Sequence, residues 1–224
     1  MSSSATETAT KAPSTRDRIL SSAIELLTES GWSSITMARL AERAGVSRQT
    51  VYNEIGSKPE LAGAVVLDEL GRFLAVVDEG FDRHPRSLSA ALHAAVLGVL
   101  ERARDSAIMV AIVSSTTGAE TELLPPLTTR STSLLDTARA VVGARVSTYD
   151  VTVDDRTRDA AIDVLVRTVL SHVMQPSGAP TQSASGIAEV ITAALSDGTV
   201  RRPAPRSSVR GLSLIHISEP TRPY

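Results

Sequence analysis

The sequence contains no cysteine, which excludes disulfide bridges, cysteine nucleophiles and thiolate metal sites. Aromatic residues are scarce: two Phe, one Trp and three Tyr in 224 residues. Aliphatic side chains must therefore build most of any core. No apolar run approaches the roughly 18 to 20 residues of a membrane-crossing helix, and the polar N-terminus has no signal-peptide core. No membrane partner and a cytoplasmic location are expected. A basic excess is also missing. Lys and Arg number 23 against 25 Asp and Glu, a net charge of −2, so any attraction to nucleic acid must be local. No phosphate-binding glycine loop, no Ser-His-Asp pattern and no suggestive carboxylate pair occurs, so no catalytic residue is assigned and the chain is not expected to be an enzyme. His93 and His172 each lack a second strong donor at ligand spacing. They are read as polar residues at a pocket edge or subunit interface, and neither a metal nor a cofactor is expected.

What is present is a folding composition, with 42% hydrophobic and only 21% charged residues. Apolar residues recur at helical spacing through most of the chain, and Val151 and Val153 are too little to make a sheet. The expected fold is all-α, with about nine helices.

One stretch states a function: Thr36 to Leu61, TMARLAERAGVSRQTVYNEIGSKPEL. Thr36 can cap a short helix, in which Met37, Leu40, Ala41 and Ala44 share a face. Gly45 suits the left-handed exit from that helix. Ser47 then caps a second helix, with Val51 and Ile55 turned inward and Arg48, Gln49, Tyr52 and Asn53 turned out. Two short helices joined by a Gly-containing turn make the helix-turn-helix geometry, whose second helix enters the major groove of double-stranded DNA. Arg pairs with guanine there, and Gln or Asn with adenine. Arg48, Gln49, Tyr52 and Asn53 are accordingly assigned to bases or adjacent phosphates. Thr36, Ser47, Thr50 and Lys58 are assigned to phosphates.

The stretch resembles the DNA-binding region of the TetR family of bacterial repressors. Ala41, Ala44, Gly45, Val46, Ser47, Thr50 and Tyr52 match its AxxAGVSxxTxY core, and Ser57, Lys58, Glu60 and Leu61 match the SKxEL that follows. Glu54 and Ile55 stand where the family usually carries a His-Phe pair or another aromatic. The resemblance implies a head near the N-terminus, a homodimer on a near-palindromic operator, and a larger domain that takes a small inducer. It also gives Lys58 its phosphate.

Residues 1–14 read as a polar arm, 15–58 as the DNA-binding domain and 59–200 as a helical ligand-binding and dimerisation domain. Residues 201–224 read as a tail, of which 211–224, GLSLIHISEPTRPY, looks like translated vector sequence. Within the larger domain, helices are expected at about 87–104, 107–114, 125–146, 159–174 and 186–196, after a long helix capped by Ser57, with Lys58 and Pro59 in its first turn, that runs towards Phe81. The helix over 159–174 is apolar nearly all round and needs a second partner surface. With the last helix it supplies the expected dimer interface: Ile162, Val166, Val173, Ile187, Val190, Ile191 and Leu195. The Ala, Val, Leu and Ile lining of the larger domain suits an apolar, flexible effector, acyl or alkane-like. Its pocket is placed at Leu92, Val96, Leu100, Met109, Ile112, Leu127, Leu134, Leu165, Val169 and His172. An alternative reading is a lipid-binding or catalytic helical module whose head is only a structural cap.

Overall fold

A computed structural model of the chain describes residues 12–115 and 131–196. Among them are nine α-helices, one short 3-10 turn and no strand. The expected starts at Pro125 and Pro126, the pocket residue Leu127 and the tail from 201 lie outside the described residues.

The head begins with α1 (Thr15–Ser30). Ser14 and Asp17 cap it reciprocally, each side chain accepting from the other's backbone N–H. After a 3-10 turn (Trp32–Ser34) come α2 (Met37–Ala44) and α3 (Arg48–Glu54). Ile19, Leu26, Trp32, Leu40, Val51 and Leu61 are at most 2% exposed and meet in one apolar cluster. Trp32, the chain's single tryptophan, is thus a core residue. Each large apolar side chain so buried contributes about 1.5–3 kcal/mol. Exposed ion pairs such as Arg43 with Glu29, 2.6 Å, are screened by water and contribute little. Apolar burial therefore holds the head together.

The long α4 (Lys58–Arg83) runs from the head into the larger domain. It packs along α5 (Leu88–Asp105), and the two backbones approach so closely at Gly80 that a Cβ there would lie 2.6 Å from the Ala95 nitrogen. Glu69 of α4 is 4% exposed. Its two carboxylate oxygens accept from Arg102 Nη2 of α5 at 3.2 and 3.1 Å, which is the pairing a buried charge requires. The Arg102 guanidinium also lies 5.6 Å from the Phe73 ring centre.

Helix α6 (Ala107–Ser115) belongs to both parts of the molecule. Ile108, Ala111 and Ile112 are buried in the head's own cluster. Helix α7 (Ser131–Val146) is tied to α4 by Arg145, which reaches Asp78 at 2.6 Å and Asp82 at 2.7 Å.

Helix α8 (Asp155–Met174) begins four residues before the expected start. Asp154 caps it by accepting from the Thr157 N–H at 2.7 Å, and that opening turn is too polar to register as apolar periodicity. Helix α9 (Pro180–Ser196) begins six residues early. Pro180 is its first residue rather than a loop residue, a position where the missing N–H costs nothing. The second apolar cluster joins α4, α5, α7, α8 and α9. No helix among the described residues is long and apolar enough to cross a membrane.

Candidate DNA-reading face and the cleft behind it

The geometry of α3 follows from its two ends. Gly45 has φ +64°, the left-handed conformation that closes α2. The chain then turns through Val46 to Ser47, whose Oγ accepts from the Thr50 N–H at 3.0 Å and starts α3. Val51 is fully buried and Ile55 nearly so, which fixes the rotation of the helix about its axis. Arg48, Gln49, Tyr52 and Asn53 consequently face out together, with Tyr52 51% exposed. Gln49 Nε2 donates to Asn53 Oδ1 at 2.9 Å. Arg48 makes no ion pair with the other described residues.

The four residues assigned to phosphates all lie at helix starts: Thr36 caps α2, Ser47 caps α3 with Thr50 in its first turn, and Lys58 opens α4. The Thr36 hydroxyl accepts from the Arg39 N–H at 3.2 Å as the cap of α2. Ser47 and Thr50 hydroxyls lie 2.8 Å apart. Each keeps donor or acceptor capacity, since a hydroxyl carries one hydrogen and two lone pairs. Lys58 Nζ donates to the Ser33 carbonyl at 3.4 Å and lies 5.9 Å from the Trp32 ring centre. The turn before α4 is held by Glu60, whose carboxylate accepts from the Ser57 backbone N–H at 2.7 Å and from its hydroxyl at 2.8 Å. These two donors hold the Glu60 pKa below its ordinary value.

Two arginines of α1 also position the motif. Arg18 Nη2 donates to the Ala44 carbonyl at the end of α2, 2.6 Å away. Arg16 donates to the Glu54 carbonyl at the end of α3. The last carbonyls of a helix lack intrahelical partners, and here α1 supplies them. The sequence alone assigns neither arginine a partner, because nothing in their spacing shows which carbonyls they reach.

Behind the head, a cleft of about 210 Å³ opens between α5, α6, α8 and the loop into α9. Of the residues assigned to a pocket, Leu100, Met109 and His172 line it. They are joined by Val110 and Val113 of α6, by Val173 of α8 and by Pro176 to Gly178 of the loop. Leu92, Val96 and Leu165 are instead buried in the second cluster, with Val169 packed against it, while Ile112 belongs to the head's cluster. Leu134 is half-buried on α7, away from the cleft. Val173, assigned to the dimer interface, is a cleft residue. At the rim, a His172 ring nitrogen, Nδ1, lies 2.9 Å from the Thr168 carbonyl; donating there leaves Nε2 as the acceptor of the neutral ring. His93 lies apart, in a surface groove with His84 and Glu189. Among the described residues no three His, Asp or Glu side chains gather as a metal set.

The residues assigned to a dimer interface divide in the same way. Ile162, Ile187, Ile191 and Leu195 are each at most 8% exposed and pack into the chain's own second cluster, with Val166 partly buried against it. The inward stripe of α9 is Ala184, Ile187, Ala188, Ile191 and Leu195. Apolar periodicity finds that stripe but not which body it faces. The outward apolar residues of the two helices are Val164, Leu170 and Val190, exposed by 53%, 44% and 65%.

Comparison with known proteins agrees with this geometry. Residues 19–65 match the family described as bacterial regulatory proteins, tetR family. Residues 87–193 match the bacterial tetracyclin repressor C-terminal domain. The chain is 31% identical over 178 residues to the HTH-type transcriptional regulator AlkX of Mycobacterium tuberculosis, covering 79% of this chain and 83% of that one. It superposes on the crystal structure of the TetR family repressor AlkX from Dietzia sp. strain DQ12-45-1b, implicated in biodegradation of n-alkanes, with a TM-score of 0.67. That pair shares 28% identity and covers 80% of this chain and 96% of the other. A transcriptional regulator from Rhodococcus sp. Rha1 shares the fold, with a TM-score of 0.55 and 19% identity over 81% and 96% of the two chains. The chain belongs to the TetR family of bacterial helix-turn-helix transcriptional regulators.

Proposed function

We propose that the protein is a homodimeric repressor that binds a near-palindromic operator through α3 and leaves it when a small apolar ligand enters the cleft. The observation that carries the DNA-binding part is the shared outward face of Arg48, Gln49, Tyr52 and Asn53, fixed by burial of Val51 and Ile55. Thr36, Ser47, Thr50 and Lys58, at the starts of α2, α3 and α4, serve the neighbouring phosphates. The region from Ser14 to Lys58 carries six basic and five acidic residues. Two heads on one DNA then supply what a single, nearly neutral head lacks. The second copy packs on the outward sides of α8 and α9, where Val164, Leu170 and Val190 are exposed among the described residues.

The position of α6 supports release by a ligand. Met109, Val110 and Val113 line the cleft, while Ile108, Ala111 and Ile112 of the same helix are core residues of the head. A ligand that displaces α6 therefore acts on α1, against which α6 packs, and through the shared apolar cluster on α2 and α3. It shifts the equilibrium only by its difference in affinity for the two arrangements. The cleft walls are mostly apolar, with Arg104, His172, Ser177 and Ser183 as their polar members, which favours an acyl or alkane-like chain, in keeping with the implication of the Dietzia AlkX repressor in n-alkane biodegradation.

The test begins from a complex of the protein with the DNA upstream of its own gene, to which chains of graded length and flat aromatic compounds of similar size are added. Release by the flexible chains alone supports the reading. Release only by the aromatic compounds, or by nothing in either series, contradicts the ligand assignment.

A further inference from the structure

Gln49 and Asn53 lie one helical turn apart on the exposed face of α3, where side chains four residues apart are neighbours. The hydrogen bond from Gln49 Nε2 to Asn53 Oδ1, 2.9 Å, restrains a long side chain that an open surface would leave rotating. Its direction matters as much as its length. One of the two Nε2 hydrogens is engaged, while the second hydrogen and the whole of Oε1 remain available. A donor beside an acceptor on one planar amide complements the major-groove edge of adenine, where N7 accepts and the N6 amino group donates. Asn53, by contrast, has its Oδ1 turned toward Gln49 and away from the pairing that a base of its own would need. Neither side chain is charged, so their contribution to base choice is insensitive to salt, unlike a contact from Lys58.

We infer that Gln49 reads an adenine in each operator half-site and that Asn53 is a positioning residue that holds its amide in the reading orientation. The inference rests on the protein's being a sequence-specific DNA binder, as proposed above. It divides the labour within the four outward residues.

The experiment uses the full-length chain. A preferred duplex is selected from a random pool, each position is then replaced in turn, and relative affinities are measured for wild type, Gln49→Ala, Asn53→Ala and Asn53→Asp. Wild type is expected to prefer A·T at one position per half-site by roughly 5- to 150-fold, the range for a good bidentate pair. Gln49→Ala abolishes that preference, and Asn53→Ala weakens it at the same position. Asn53→Asp retains the preference, because its carboxylate still accepts from Nε2, although added negative charge weakens binding to every sequence. Replacing that adenine by 7-deazaadenine, which lacks the N7 acceptor, lowers the affinity of wild type several-fold and leaves Gln49→Ala unaffected. A base preference untouched by Gln49→Ala overturns the inference while leaving specific DNA binding intact. Relaxation by Asn53→Ala at a different position from Gln49→Ala does the same, since Asn53 then reads its own base. A pool from which wild type enriches no sequence overturns the DNA-reading proposal itself, and this inference with it.

Discussion

Arg18 and Ala44 stand 26 residues apart in the chain, yet the Arg18 guanidinium donates to the Ala44 carbonyl at 2.6 Å. With Arg16 donating to the Glu54 carbonyl, α1 grips the C-terminal ends of both helices of the DNA-binding motif. A part-buried, charge-assisted bond such as that of Arg18 contributes about 1.5–3 kcal/mol. Arg18→Ala is expected to lower the melting temperature by a few degrees and to weaken DNA binding on every sequence alike. Unchanged stability together with altered base preference would show that Arg18 touches DNA rather than α2.

The close crossing of α4 and α5 makes opposite predictions for two glycines of one helix. At Gly80 a side chain meets the Ala95 backbone at 2.6 Å, whereas at Gly71 nothing lies within 4 Å of the added atom. Gly80→Val should cost about 1–3 kcal/mol through overpacking. Gly71→Ala should stabilise by about 0.5–1 kcal/mol, because glycine is a poor helix former. Denaturant melts of the two variants check both signs.

Burial separates the two faces of α9. Val190 is 65% exposed and its neighbour Ile191 is 3% exposed. Val190→Glu is expected to leave the fold intact and to convert dimer to monomer in sedimentation velocity, whereas Ile191→Glu places an unpaired charge in the core and destabilises the subunit. A Val190→Glu protein that stays dimeric removes this face from the proposed interface.

Acid should loosen the turn that leads into α4. Hydrogen bonds from the Ser57 backbone and hydroxyl hold Glu60 below its ordinary pKa, and Arg167, with Arg139, does the same for Asp163. A carboxyl whose folded pKa is depressed adds stability that is complete above its unfolded value. That stability is lost as the pH falls through the folded value. The melting temperature of wild type should therefore exceed that of Glu60→Gln most at neutral pH, with the gap closing below about pH 4.5, the ordinary value. A gap that stays constant down to pH 3 contradicts the assignment.

Much of the head was legible because its signals are local. Thr36, Gly45 and Ser47 occupy the cap positions that their chemistry suggests, and Val51 and Ile55 fix the outward set by spacing alone. The larger domain was legible as helices but not as surfaces. Ile187 and Ile191 form an apolar stripe whichever body it faces, and only the packing of α9 against α5 shows that the stripe is internal. Beyond Leu100, Met109 and His172, the cleft eluded the sequence for a related reason. Its walls include Pro176, Ser177 and Gly178, a loop with no periodicity, while Leu92 and Leu165 are core residues that differ from cleft residues only in what stands opposite them. The α1 arginines were missed because a carbonyl partner leaves no trace in side-chain pattern.

The outward face of α3 as a reader of DNA sequence is tested most directly by fluorescence anisotropy. Wild type, Arg48→Ala and Lys58→Ala are titrated against the DNA upstream of the protein's own gene and against unrelated DNA, at two salt concentrations. Wild type should prefer the upstream DNA by about a thousandfold or more. Lys58→Ala should weaken binding to both DNAs similarly and make the salt slope shallower, while Arg48→Ala should weaken binding to the upstream DNA more than to unrelated DNA. Equal, salt-sensitive binding of wild type to both DNAs, unchanged by Arg48→Ala, would contradict the account.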